Sequence, residues 1–187
     1  MGFTRAELES FVGAKVDDLI GANCRLLFVG INPGLWTAAT KTHFAYPGNR
    51  FYPALLKAGI IEREIDRGVG MSDDDRTHLI ERGIGITNVA HRATAKASEL
   101  TTAELIAGGK ELRRFVRRHR PAVVAVAGIT AYRSAFGQPK AVMGEEVDGF
   151  EGSRLWVVPN PSGLNAHETV DSLAVAYSAP ASAAGVT

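Results

Sequence analysis

The sequence predicts an α/β protein, a three-layer sandwich with a central, mainly parallel four-stranded sheet and helices on both faces. Short apolar segments of strand length alternate along the chain with segments of helical periodicity, an alternation typical of α/β sandwiches. One segment, residues 122–127, is apolar throughout, as expected for a central strand covered on both faces. The 187 residues fit one domain. We expect it to span residues 1–179, with a disordered tail over residues 180–187.

Start and stop signals bound each element of the first half of the chain. Thr4 and Glu7 form a capping-box pattern that predicts a helix to about Ile20. Ser72, which precedes three aspartates, predicts another helix start, where acidic side chains suit the helix dipole. The predicted order is a helix over residues 4–20, a buried strand over 26–31, a long loop over 32–48, a helix over 49–58, a helix from 72 and a strand over 85–89.

The second half continues the same alternation. Thr101 and Glu104 predict the start of a long helix that ends at Arg118, before the central strand. After that strand the pattern predicts a helix over residues 129–136, a strand over 155–158 and a final helix over 168–177.

Composition limits the possible chemistry. The formal net charge of +1 argues against coating of nucleic acid through bulk charge, so any such contact must be local. The single cysteine, Cys24, cannot supply a disulfide or a thiolate cage, and we expect no metal and no organic cofactor. No segment is apolar enough to span a membrane and the first ten residues lack a secretory signal, which predicts a cytoplasmic protein.

Three segments of unusual composition follow predicted strands: GINPGL at 30–35, ITNVAHR at 86–92 and PNPSGL at 159–164. In open α/β sheets the ligand crevice lies beyond the carboxyl ends of the strands. Asn-Pro turns leave backbone N–H groups facing outward, where they bind oxyanions or polar base edges. One such turn alone is more often structural. Two of them, with an aromatic loop between, favour a functional site.

These segments carry a family resemblance. GINPGL, KTHFAYPGNRF, GITNVAHR and VVPNPSGL, in this order, resemble the motifs of the mismatch-specific uracil and thymine-DNA glycosylase family, over Leu26 to about Tyr177. The resemblance implies a monofunctional, cofactor-free enzyme for base excision repair, acting as a monomer on double-stranded DNA. It would excise uracil, and related bases such as ethenocytosine, from mismatched duplexes.

The resemblance also implies roles at the base. Asn32 would position the attacking water, and Phe44 would stack on the extruded base. The backbone of Ile31 and Phe44 and the side chain of Asn88 would contact the polar edge of the base. His43 matches a histidine of thymine-directed members and would donate to the leaving base or help place water. On general grounds, a loop histidine with its hydrogen bonds satisfied is an equal alternative.

The last motif would contact the DNA stack. Leu164 would be the wedge that fills the vacated position, with backbone at Gly163 and Asn165 facing the orphaned guanine. The whole predicted contact loop comprises Asn160, Pro161, Ser162, Gly163, Leu164 and Asn165.

Several cations are candidates for phosphate contact. Arg50, Arg92 and Lys41 lie within or next to the motifs, although each is also compatible with an ordinary surface charge. The basic run at 113–120 ends the helix that precedes the central strand, so we expect it at the opposite edge of the sheet, away from the base.

Two other classes of protein compete with this interpretation. A noncatalytic reader of damaged DNA on the same fold should lack the water-positioning asparagine, and Asn32 is present. A nucleotide-binding α/β protein should have a glycine-rich loop that opens directly into a helix, whereas here an aromatic loop intervenes.

Overall fold

A computed structural model describes residues 2–187 and contains one five-stranded sheet. The strands are β1 (Leu26–Gly30), β2 (Ile84–Asn88), β3 (Val123–Ala127), β4 (Gly144–Phe150) and β5 (Ser153–Val158). Their order in the sheet is β2-β1-β3-β5-β4, and all neighbours are parallel except β4 and β5, which are antiparallel. The predicted mainly parallel sheet and the central position of the 122–127 segment are confirmed. The predicted number of four strands is wrong by one.

Helices cover both faces of the sheet, which confirms the three layers. Alternate residues of β1 point to opposite faces, as a strand requires: Phe28 joins the core with Leu55 and Tyr177, while Val29 joins the core with Val116. No helix within residues 2–187 is both long and apolar enough to cross a membrane. The helices are α1 (Arg5–Glu9), α2 (Leu35–Thr40), α3 (Phe51–Lys57), α4 (Asp73–Glu81), α5 (Thr102–His119), α6 (Ile129–Phe136) and α7 (Val170–Ala183). The prediction of a loop over residues 32–48 is wrong in part, because α2 begins directly after Gly34.

The fifth strand, β4, lies at the edge of the sheet. Three of its seven residues are acidic, and its one central apolar side chain, Val147, is 99% exposed. An edge strand that faces solvent need not show the apolar pattern of a buried strand, and charge on such an edge prevents pairing with other chains. The strand therefore left no signal in the hydrophobic pattern.

The first helix is much shorter than predicted. The capping box between Thr4 and Glu7 is present, but α1 ends at Glu9 instead of continuing to Ile20. Gly13 has a positive φ of 82°, and its N–H donates to the Ala93 carbonyl. Leu19 then exchanges backbone hydrogen bonds with Ile86 of β2. The positive φ of Gly13 ends the helical path, and pairing with these segments satisfies the backbone groups that follow it.

The C-terminal residues correct the prediction of a disordered tail. Helix α7 continues through Pro180 to Ala183, and Ala181 and Val186 are buried in the core. Arg82 donates to the Val186 carbonyl, and Arg25 donates to the Gly185 carbonyl. Small apolar side chains close to the core pack instead of fraying, and the arginines hold the segment at the amino edge of the sheet.

Helix α5 packs unusually close to its neighbours. A Cβ on Gly108 would lie 2.0 Å from the Val89 carbonyl oxygen, and one on Gly109 would lie 2.6 Å from that of Ala135. Both glycines are buried. Only glycine permits this approach, which brings α5 against the residue that immediately follows Asn88.

The single cysteine lies in the interior. Cys24 is 7% exposed and its thiol contacts the Leu26 carbonyl at 3.6 Å. Burial raises the pKa of the thiol to about 12. Cys24 is therefore a packing residue.

Candidate functional site

One cavity of about 480 Å³ opens at the carboxyl edge of β1, β2, β3 and β5. Its volume falls in the roughly 300–1,000 Å³ range of small-ligand sites. The structure brings most of the predicted site residues together around it and places three of them outside the lining. The predicted residues that line it are Ile31, Asn32, His43, Phe44, Asn88, Asn160, Ser162 and Leu164, and those that do not are Pro161, Gly163 and Asn165.

The Asn32 amide is held in one orientation. Its Nδ2 donates to the Arg92 carbonyl at 2.9 Å and to Thr94 Oγ1 at 2.8 Å. Thr94 Oγ1 gives its own proton to the Lys96 carbonyl, so it must accept from Asn32. These partners fix which amide atom is nitrogen. Within residues 2–187, Oδ1 accepts no hydrogen bond and is not a buried atom, so it is left as an acceptor in the cavity.

Both ring nitrogens of His43 are already occupied. His43 is 3% exposed, and Nε2 lies 2.9 Å from the Asp17 carbonyl, which can only accept, so Nε2 carries the proton. Nδ1 then accepts from Asn88 Nδ2 at 3.2 Å. Of the two interpretations of His43, the structure favours the histidine with satisfied hydrogen bonds. Its ring holds the Asn88 amide in place and has no free N–H for a base.

His43 should make stability depend on pH. Burial lowers the pKa of folded His43 below the ordinary value of 6.5. Above pH 6.5 the side chain is neutral in both the folded and the unfolded chain, so its contribution to the free energy of unfolding is fully present there. As pH falls below it, the unfolded chain takes up the proton first, and the free energy of unfolding falls. His43→Gln should flatten this loss, because glutamine donates to Asp17 and accepts from Asn88 without titrating.

Urea unfolding of both proteins at pH 7.5 and pH 5.5 would measure the difference. The other histidines are common to wild type and variant, so their contributions cancel. Identical losses of unfolding free energy in the two proteins would contradict the buried neutral His43.

Phe44 forms an aromatic wall of the cavity in a strained backbone conformation. Its φ is 56°, in the left-handed region, which costs a residue other than glycine about 1 kcal/mol. Its ring stacks on the fully buried Phe51, with centroids 4.1 Å apart. A Cβ on Gly30 would lie 2.5 Å from Asn88 Oδ1 and 3.2 Å from the Phe44 ring, so the glycine that ends β1 makes room for both side chains.

The loop after β5 presents an exposed leucine at the mouth of the cavity. Leu164 is 85% exposed. The loop has no helix or strand, but its own hydrogen bonds shape it: Ser162 N–H donates to Asn160 Oδ1 at 2.9 Å, and Asn165 Nδ2 donates to the Asn160 carbonyl at 3.1 Å. The Asn165 N–H is also engaged, with the Ser162 carbonyl at 2.9 Å. Asn160 thus organises the loop that carries Leu164.

Two of the proposed phosphate contacts are engaged elsewhere. Arg92 forms an ion pair with Glu104 at 2.7 Å, and its hydrogen bond lowers the pKa of that carboxyl to about 2. The Arg50 guanidinium donates to backbone carbonyls of the Leu164 loop. Lys41 is exposed and stays a prediction. Lys96 is an exposed cation at the mouth of the cavity, without an ion pair among residues 2–187.

Sequence reasoning missed several contributors to this site. Thr94 lies two residues after Arg92, the last residue of the ITNVAHR motif, and nothing in the sequence distinguishes its hydroxyl from that of any other loop threonine. Leu8 of α1 lines the cavity from a helix that was expected to continue past it. The Asp17 contact runs through a backbone carbonyl, which leaves no trace in side-chain types. No group of three or more His, Cys, Asp or Glu residues within residues 2–187 is arranged to hold a metal ion.

The fold and the cavity define a class: a three-layer α/β protein with a small-ligand site at the carboxyl edge of a parallel sheet, lined by amides and aromatic rings and flanked by an exposed leucine. The family comparison agrees with this class. The model of the uracil DNA glycosylase superfamily matches residues 18–178, and the chain belongs to that superfamily of DNA glycosylases.

A solved structure is similar in fold. The solution NMR structure of a candidate uracil DNA glycosylase from Methanosarcina acetivorans superimposes with a TM-score of 0.58, over 90% of this chain and 98% of that chain, at 14% sequence identity. At this identity the likeness supports the fold alone.

Proposed function

We propose that the protein excises uracil from mismatched duplex DNA and leaves an abasic site. One observation carries this proposal: Asn32, Phe44, Asn88 and Leu164, from three separate motifs and the loop between them, line a single cavity. Ethenocytosine and similar electron-poor pyrimidines belong to the same proposed substrate class, because they too are good leaving groups.

Base flipping is the first step. Chemistry at the glycosidic bond cannot occur inside a stacked duplex, so the nucleotide rotates into the cavity at a cost of a few kcal/mol, which is smaller for a mispaired base. Leu164 enters the vacated position and replaces lost stacking contacts, as apolar wedges do at kinked steps. Phe44 receives one face of the base, and its other face is supported by Phe51. The preference for mismatches follows partly from the lower cost of flipping.

Hydrolysis is the second step. The bond between C1′ of the sugar and N1 of uracil breaks, the electron pair leaves with the base, and water adds to the oxocarbenium-like C1′. The proton that this water loses passes to solvent, and the uracil anion takes up one proton from solvent, so the step balances. Asn32 Oδ1 accepts a hydrogen bond from this water and orients it, but an amide cannot remove a proton as a strong base. The backbone N–H groups of Ile31 and Phe44 stabilise the uracil anion, and the Asn88 amide, held by His43, contacts the polar edge of the base. The enzyme therefore depends on a good leaving group.

Lys96 is the cation we expect to contact phosphate. Lys96→Gln should weaken binding to all duplexes to a similar degree and reduce the salt dependence of log K by about one unit. Arg120→Gln is the matched control, because Arg120 is an exposed cation that follows α5 at the start of the segment leading into β3, and it should leave the salt dependence unchanged. Fluorescence anisotropy with a labelled duplex at several salt concentrations measures both. An effect of Arg120→Gln alone would reverse the proposed orientation on DNA.

A panel of labelled DNA tests the proposal. The duplexes contain uracil opposite guanine, uracil opposite adenine, thymine opposite guanine or ethenocytosine opposite guanine, and single-stranded uracil DNA completes the set. Alkali converts each abasic site into a strand break. We expect breaks with uracil opposite guanine, and fewer with uracil opposite adenine. Tight binding without breaks in any duplex would identify a noncatalytic reader of damage instead.

A further inference from the structure

Arg50 joins two loops at the mouth of the cavity. One is the aromatic loop, residues 41–50, and the other is the Leu164 loop, residues 159–168. Its Nη1 donates to the carbonyls of Asn165 at 2.9 Å and Glu168 at 2.8 Å, and Nη2 lies 3.5 Å from the carbonyl of Gly163. Its own backbone N–H donates to the Pro161 carbonyl at 3.0 Å. One half-buried side chain therefore engages carbonyls on both sides of Leu164.

The approach of the two loops leaves little room for movement. A Cβ on Gly163 would lie 2.5 Å from the Gly48 carbonyl oxygen, in the turn that precedes Arg50. The same turn follows Phe44, the aromatic wall of the cavity. The Leu164 loop is thus fixed against the aromatic loop by contact as well as by hydrogen bonds.

We propose that Arg50 is a positioning residue, which holds the Leu164 loop in the conformation that enters DNA. Inserting a side chain from a mobile loop costs the conformational entropy of every group that becomes ordered, and a loop that is already ordered avoids this cost. The planar guanidinium fits the task because its donors are fixed in a fork that can serve several carbonyls at once. This inference rests on the proposed function only for its role in base flipping.

The proposal replaces the expectation that Arg50 binds phosphate. A guanidinium committed to three backbone carbonyls has few donors left for DNA. Substitution of Arg50 by lysine separates the two roles, because lysine keeps the positive charge but lacks the planar set of N–H donors. A phosphate contact largely survives Arg50→Lys, whereas a contact with several diverging carbonyls does not.

Hydrogen–deuterium exchange of the free protein tests the positioning role of Arg50 without an activity assay. In Arg50→Lys we expect amides in residues 160–168 to exchange about tenfold faster, because the loop opens more often once the guanidinium no longer holds its carbonyls, while the strands of the sheet keep their protection. Unchanged exchange in this loop would overturn the proposal. So would faster exchange throughout the sheet, because it would mean general destabilisation.

Single-turnover kinetics test the consequence for flipping. Arg50→Lys should lower the rate on uracil opposite guanine by about tenfold and leave single-stranded uracil DNA within about twofold, because a single strand has no stack to refill. Leu164→Ala should show the same pattern, and the double variant should be no slower than Leu164→Ala alone. Equal losses on both substrates, or additive losses in the double variant, would overturn the positioning role. If wild type cleaves neither substrate, the proposed function fails, and the exchange experiment still tests whether Arg50 holds the Leu164 loop.

Discussion

Asn32→Ala should lower the single-turnover rate of uracil excision on the order of 10³-fold, with duplex binding near that of wild type and an unfolding free energy lower by about 1–3 kcal/mol, because the Arg92 carbonyl and the Thr94 hydroxyl lose their donor. The effect is expected to be large because Asn32 Oδ1 is an unpaired acceptor in the cavity, held there by partners on the other amide atom. Rapid-quench measurement of abasic sites with enzyme in excess gives the rate of the chemical step. A loss smaller than about tenfold would remove Asn32 from the proposed mechanism.

Thr94→Val provides a graded control for this prediction. It removes one of the acceptors that fix the orientation of the Asn32 amide but leaves the Arg92 carbonyl in place. We expect a loss of about tenfold, because one hydrogen bond worth about 1–1.5 kcal/mol holds the productive orientation. A loss as large as that of Asn32→Ala would instead give the Thr94 hydroxyl a direct role at the water.

Gly108→Ala should lower the free energy of unfolding by about 3 kcal/mol. Alanine is the better helix former by about 1 kcal/mol, so an open position would become more stable. Here the added Cβ would lie 2.0 Å from the Val89 carbonyl oxygen, and α5 would have to move away from β2. Since Val89 follows Asn88, we also expect slower excision. Urea denaturation followed by circular dichroism measures the stability.

The neighbouring residue supplies the control. Ala107 is exposed on the same helix, so Ala107→Gly should cost only the propensity difference of about 1 kcal/mol. A stabilised Gly108→Ala protein would show that α5 does not need the close approach, and that the glycine is present for another reason.

The core of the sheet was predictable because buried parallel strands leave an apolar signature. The 122–127 segment carries that signature and forms the central strand. Elements that make their contacts through the backbone were not predictable in the same way. The chain after Glu9 leaves its helix to pair with Ile86 and Ala93, and β4 pairs at an exposed edge with an acidic sequence. In both cases the stabilising groups are main-chain atoms, which every residue type possesses.

The same distinction holds for the site. The motifs indicated that Asn32, Asn88 and Leu164 would converge, since parallel strands end at one edge of the sheet, and the three side chains do line one cavity. The environment of each side chain was hidden. Arg50 looked like a free cation until its three carbonyl partners were known. For His43 the sequence left two roles equally open, a donor to the base and a loop histidine with its hydrogen bonds satisfied, and the structure has both of its nitrogens in use.

The burial of Cys24 has a practical consequence for following wedge insertion. Thiolates are the species that react with maleimides, and a thiol whose pKa is about 12 is almost wholly protonated at neutral pH. The chain has no other cysteine. A Leu164→Cys variant can thus carry a fluorophore at the tip of the exposed loop with the native sulfur left unlabelled, and its emission would report, in real time, when that tip leaves water for the base stack.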